Sequence, residues 1–220
     1  MDGFTRSAAP PPLFGVQFLD WFRAITERNW AARQARYYEG TEYAEFGSAP
    51  WQQHARWLQG LPDATIDDLE RTWSVRFPPD LRLFLSLLHA PDRPAGETWD
   101  TSSPVPPMQR PFFKTFDFYN WSLDGERLQE YFDMPLQGLL FDIERNDLWH
   151  ASWGTKDRSV EARKERLTDL VAGAPRLIPI CGHRYLVAKT CYAGNPVLSV
   201  VQSDIVPYGV DLYDYFFNEF

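Results

Sequence analysis

The segment from Thr65 to His89 constrains the fold most, because two helix-period patterns sit on either side of a Pro-Pro pair. Ile66, Leu69 and Trp73 fall at i, i+3, i+7, and Leu81, Phe84, Leu85 and Leu88 at i, i+3, i+4, i+7, so each half presents one apolar stripe. The spacing predicts two short amphipathic helices that need a common core. Thr65 is a candidate cap for the first, with Asp68 three residues on in a capping-box-like position. Pro78-Pro79 ends the connection and presets the backbone angle that starts the second.

Before this pair, Phe14, Phe18, Trp21, Phe22 and Ile25 keep helical spacing, and Trp51, Ala55 and Leu58 predict another short helix after Pro50. Residues 1–60 therefore read as a flexible tail and a helical extension that folds back on a main unit, 61–220, because its apolar face would otherwise be exposed. Six prolines between Pro91 and Pro111, including Pro104-Val-Pro-Pro107, mark a rigid connection. Strand-like runs follow at Lys114–Tyr119, Leu139–Glu144, Leu148–Trp153, Leu177–Ile180, Arg184–Ala188 and Val197–Gln202. Helices are expected at Gly125–Phe132, at Arg158–Val171 and over the terminal Leu212, Tyr215, Phe216 and Phe220. With no βα-repeat rhythm, the pattern predicts an α+β fold.

The order Ile66-x-x-Leu69-Glu70, a turn with Phe77-Pro78-Pro79-Asp80, then Leu81-Arg82-x-Phe84-Leu85 resembles the opening of the SMI1/KNR4 domain of the SUKH superfamily. The closing order is similar too: Leu177-Ile-Pro-Ile-Cys-Gly, a strand, Asn195-Pro-Val-Leu-Ser-Val, an aspartate, and a terminal Leu-x-x-Tyr-Phe helix. The resemblance runs from Leu61 to Phe220. It implies a mixed, mainly antiparallel sheet packed by helices and a non-catalytic protein-binding role; many bacterial members are immunity proteins that neutralise toxin domains. His89-Ala90-Pro91 stands where relatives commonly carry Asn-Gly, and His183-Arg184-Tyr185 replaces a glycine-rich turn, which marks a divergent branch.

The net charge is −8, from 30 acids against 22 bases, which disfavours a nonspecific nucleic-acid binder. From Thr190 to Phe220 there is no Lys or Arg, while Asp204, Asp211, Asp214 and Glu219 lie there, so a basic protein is the partner this charge would steer. No apolar run approaches the roughly 20 residues that span a bilayer. Acidic Met1-Asp2-Gly3 and the following Pro10-Pro11-Pro12 lack the order of a signal peptide, so the cytoplasm is the expected location.

Enzyme signatures are sparse. No two of the thirteen glycines lie closer than seven residues, which excludes GxGxxG, Walker-type and GxSxG loops and leaves no cofactor expected. His54, His89, His150 and His183 lack metal-ligand spacing. Cys181-Gly182-His183 is the strongest nucleophilic candidate, and a thiol-dependent hydrolase or transferase using Cys181 and His183 is the alternative function; Cys191 is weaker. On an alternating strand Trp149, Ala151 and Trp153 share one face, opposite His150 and Ser152, so the tryptophans are candidates for a recognition surface or a small-ligand-sensing pocket. His183, Arg184 and Tyr185 form a second polar-aromatic candidate. The expected function is steric protein binding by Asp204, Asp211, Asp214, Trp149 and Trp153, without catalysis.

Overall fold

The computed structural model describes residues 13–31, 36–37, 45–46, 54–93, 117–189 and 192–220. The tail, Trp51, the Pro104–Pro107 run, Lys114–Phe116 and Cys191 lie outside them. The architecture is α+β. Helix α1 spans Val16–Ala31, and a two-residue antiparallel pair follows, β1 (Arg36–Tyr37) with β2 (Glu45–Phe46). Next come β3 (Trp57–Gln59), α2 (Asp63–Thr72), α3 (Pro79–Leu87) and β4 (Leu88–Pro91), with β3 and β4 antiparallel.

The paired helices form on the predicted stripes, but their ends differ: Trp73 is the C-cap just past α2, and Leu88 is the first residue of β4 rather than the last turn of α3. Pro62, not Thr65, precedes the first turn of α2, without a side-chain cap, and Asp68 pairs with Arg71 one turn on. Pro79 opens α3, where the missing N–H costs nothing. Ala55 and Leu58 are not on a helix: Ala55 precedes β3 and Leu58 lies on it, with Trp57 buried, Gln59 exposed and the strand beside β4. The chain continues through Gly60, where any added Cβ would overlap the Ser86–Leu87 backbone, and the Leu61 N–H donates to the Leu85 carbonyl at 2.7 Å.

One aromatic core joins these elements to the C-terminus. Phe22 of α1 stacks on Phe216 at 4.7 Å, and Trp57 meets Phe118 edge-on at 4.8 Å. The buried Trp57 indole N–H donates to Thr26 Oγ at 2.8 Å, which satisfies both polar groups.

His89 is buried in β4, its Nδ1 2.9 Å from the Gln59 carbonyl, and burial pushes its pKa below the ordinary 6.5. The unfolded chain therefore takes up the proton first as pH falls. Stability is full above about pH 6.5 and is lost as pH drops from there towards the folded value. Thermal melts at pH 7 and pH 5 should show a loss that shrinks in His89→Gln; equal losses in both proteins would exclude His89 as the cause.

Helix α4 (Gly125–Arg145) and α5 (Val160–Ala172) precede a four-stranded antiparallel meander: β5 (Arg176–Cys181), β6 (Arg184–Ala188), β7 (Val197–Val201) and β8 (Asp204–Gly209). Helix α6 (Leu212–Glu219) ends the chain. The Leu139–Glu144 stretch predicted as strand is the second half of α4, which runs through Pro135. A proline there cannot bond the Tyr131 carbonyl one turn back. The Tyr185 hydroxyl donates to that carbonyl instead, at 3.1 Å, and so repairs the helix from the sheet.

Candidate functional site

The sheet is covered unequally. Tyr185 points to α4, while its neighbour Arg184 points to the opposite face, where its guanidinium lies 3.7 Å above the Tyr208 ring and donates to Ser199 Oγ at 3.0 Å. Tyr208 in turn donates to Glu219 of α6 at 3.0 Å. Helix α4 covers β5 and β7 on one face and α6 lies against β8, yet β8 keeps most of its side chains in the open. Its residues Asp204 to Tyr208 are all exposed, and Val201, Ile205, Val206, Tyr208 and Val210 keep 37–76% of their surface open. Such a run at one sheet edge is an unusual use of apolar side chains. Pro207 sits in this strand, where a missing N–H is tolerated at an edge and weakens pairing with a further strand. The surface therefore offers side chains more than a backbone ladder.

The predicted acidic residues divide by role. Asp204 opens β8 and is exposed. Asp211 caps α6, accepting from the Asp214 N–H at 2.8 Å, and Asp214 accepts from the Val210 N–H at 2.9 Å, a reciprocal arrangement of capping-box type. These two carboxylates shape the helix start first, and their charge still borders Val210. Tyr185, predicted as a contact residue, is fully buried and cannot meet a partner. His183 is exposed in the β5–β6 turn, directly after the left-handed Gly182 (φ 51°).

The tip of the β7–β8 hairpin is fastened to α4. Gly138 faces Gln202 so closely that an added Cβ would lie 2.8 Å from its Cα. The buried Asp142 carboxylate accepts from the Ser203 N–H at 2.9 Å and the Asn146 amide at 2.6 Å, while its carbonyl takes the Leu148 N–H. Hydrogen bonds from Ser203, then Asn146, hold the Asp142 carboxyl below the ordinary carboxylate value. The edge strand is therefore presented on a braced support.

Trp149 and Trp153 are not on a strand. Ala151–Trp153 form one 3₁₀ turn, and the rings meet edge-on at 5.6 Å, half-exposed, in the connection between α4 and α5. Period-2 placement of Trp149, Ala151 and Trp153 misread this turn. The two rings line a concavity of about 260 Å³ with Gly154, Thr155, Asp157, Ala162 and Arg166, of which only the tryptophans were singled out from sequence. A second open cleft, about 550 Å³, lies at the end of α2. Its buried Glu70 is already engaged by the Phe77 N–H at 2.7 Å and by Arg76 and Arg82, each at 3.1 Å, in a structural cluster.

The Cys181 thiol faces the Tyr215 hydroxyl and the Asp117 backbone, and burial, then the Asp117 charge, push its pKa up to about 12. It is protonated near neutral pH, the opposite of an activated nucleophile. Burial and Arg184 lower the His183 pKa, and no hydrogen bond joins it to Cys181 among the described residues. These residues also contain no group of three or more His, Cys, Asp or Glu that could hold a metal. No helix among them is long and apolar enough to cross a membrane. Comparison of the chain with protein-family models, curated proteins and solved structures finds no match.

Proposed function

We propose that this chain is a non-catalytic protein-binding module that grips a basic partner through the β8 edge, in the manner of an immunity protein masking a toxin domain. The observation that carries the reading is the exposed apolar set Ile205, Val206 and Tyr208 on the braced strand β8, flanked by Val201 at the end of β7 and Val210 just past β8. Acidic side chains border it: Asp204 at one end, Asp211 and Asp214 at the other, within a sequence stretch that holds no Lys or Arg. Apolar side chains supply affinity by burial, and the acidic rim raises the on-rate for a cationic surface. Arg184 is engaged over Tyr208, so its charge is partly spent inside the fold. The immunity reading also draws on the resemblance of the sequence order, paired helices at α2–α3, strands at β5–β7 and a terminal helix at α6, to the SMI1/KNR4 domain.

The test captures partners of the tagged chain in its source cells, then measures binding of the purified partner by calorimetry. A partner with a cationic surface, whose toxicity on expression is relieved by this chain, is expected. Ile205→Asp should weaken binding by about a hundredfold or more, as loss of a central anchor does. Asp204→Lys should act mainly on the association rate and its salt dependence. Undiminished binding by Ile205→Asp removes the β8 surface from the proposal. A partner whose toxicity is unchanged by the chain removes the immunity role.

A further inference from the structure

We infer that the corner between Trp149 and Trp153 binds a small zwitterion, an α-amino acid with an apolar or aromatic side chain. This site is separate from β8 and does not depend on the reading of that surface.

The connection 146–159 is long for a helix–helix link, and long links that are internally tied are often functional. This one is tied throughout. Asp147, in left-handed conformation (φ 54°), bridges Lys156 at 2.7 Å and the buried Arg163 at 2.6 Å. The Trp149 indole N–H donates to the Gly154 carbonyl at 2.8 Å, and His150 Nδ1 meets Ser152 Oγ at 2.7 Å. Two indoles are thus fixed at 87° to one another yet left out of the hydrophobic core. Besides tying the connection, they keep open apolar area in a fixed orientation, pre-organised for a ligand.

The lining chemistry selects the ligand. Asp157 accepts one hydrogen bond, from the Ser159 N–H at 2.8 Å, and Arg166 makes only a long contact, 3.5 Å, from Nε to the Trp153 carbonyl. Neither charge has an ion-pair partner among the described residues. A guanidinium fits a carboxylate in a bidentate manner, a carboxylate fits an ammonium, and the indole walls take an apolar side chain. A simple cation would suit the indole faces but would meet Arg166. A neutral sugar would leave both charges without a counter-charge. The volume, about 260 Å³, lies below the range for larger organic ligands and suits one amino acid.

The test follows the indole N–H resonances of the ¹⁵N-labelled full chain, assigned through Trp149→Phe and Trp153→Phe. Titrants are L-phenylalanine, L-leucine, N-acetyl-L-phenylalanine, L-phenylalaninamide, methyl α-glucoside and tetramethylammonium. L-Phenylalanine should shift both resonances saturably, and blocking either end of it should weaken binding by about tenfold or more, as loss of one charged hydrogen-bonding group does. Exposed Arg166→Gln should weaken L-phenylalanine but leave the amide unchanged; exposed Asp157→Asn should leave the N-acetyl compound unchanged. No shift with either amino acid at millimolar concentration overturns the inference. So does equal binding of the blocked compounds, or preference for the glucoside or tetramethylammonium.

Discussion

Phe22→Ala is expected to destabilise the protein by about 3–5 kcal/mol, the range for a fully buried aromatic reduced to a methyl group. Phe22 touches the C-terminal helix through Phe216 and Phe220, and β3 through Trp57, all within one buried cluster. The cavity cannot close easily, because its walls come from three elements with separate anchors. For a chain of this length the melting temperature should fall by roughly 6–20 °C. The exposed Val16→Ala, on the same helix, should change stability by no more than about 0.5 kcal/mol. Thermal and urea denaturation of both variants provide the check. A loss below about 1 kcal/mol for Phe22→Ala would mean that α1 does not share the core.

Gly60→Ala should cost about 3 kcal/mol, the upper end for overpacking. An added Cβ would overlap the Ser86 carbonyl carbon and oxygen and the Leu87 nitrogen, far inside any real Cβ contact. These are backbone atoms and cannot rotate away as a side chain would. Loss of glycine freedom in the unfolded chain would stabilise by only about 0.4–1 kcal/mol, so the clash wins. Gly125→Ala provides the contrast, since no atom lies within 4 Å of its added Cβ at the start of α4. It should be neutral or slightly stabilising. A Gly60→Ala protein that melts with the parent would exclude the close β3–α3 approach.

Much of the scaffold was legible in local pattern. The stripes around Pro78-Pro79 mark α2 and α3, and the runs Leu177–Ile180, Arg184–Ala188 and Val197–Gln202 fall on β5, β6 and β7. Strand β8 escaped because Pro207 and Gly209 read as breakers and Gln202-Ser203 carries no standard hairpin signal. It is therefore the meander's edge that sequence pattern missed, and that edge holds the apolar surface. Leu139–Glu144 was misread because a short apolar run gives no decision between strand and helix. The segment continues α4 past Pro135, and the carbonyl that Pro135 leaves unpaired is satisfied by the Tyr185 hydroxyl, 54 residues from Tyr131 in sequence.

The sequence alone determined the fold class, the paired helices, the acidic bias of the last thirty residues and the absence of phosphate-binding glycine loops. Those properties depend on periodicity and composition, which neighbouring residues carry by themselves. Only the tertiary structure decided which candidates are available to a partner. Tyr185 is buried, Asp211 and Asp214 are drawn into the cap of α6, and the Cys181 thiol is held protonated by burial beside Asp117. Trp149 and Trp153 form a corner in company with Asp157 and Arg166, and Ile205 and Val206 stand exposed on β8. Exposure and charge pairing depend on residues brought together from distant parts of the chain, and no local pattern encodes them.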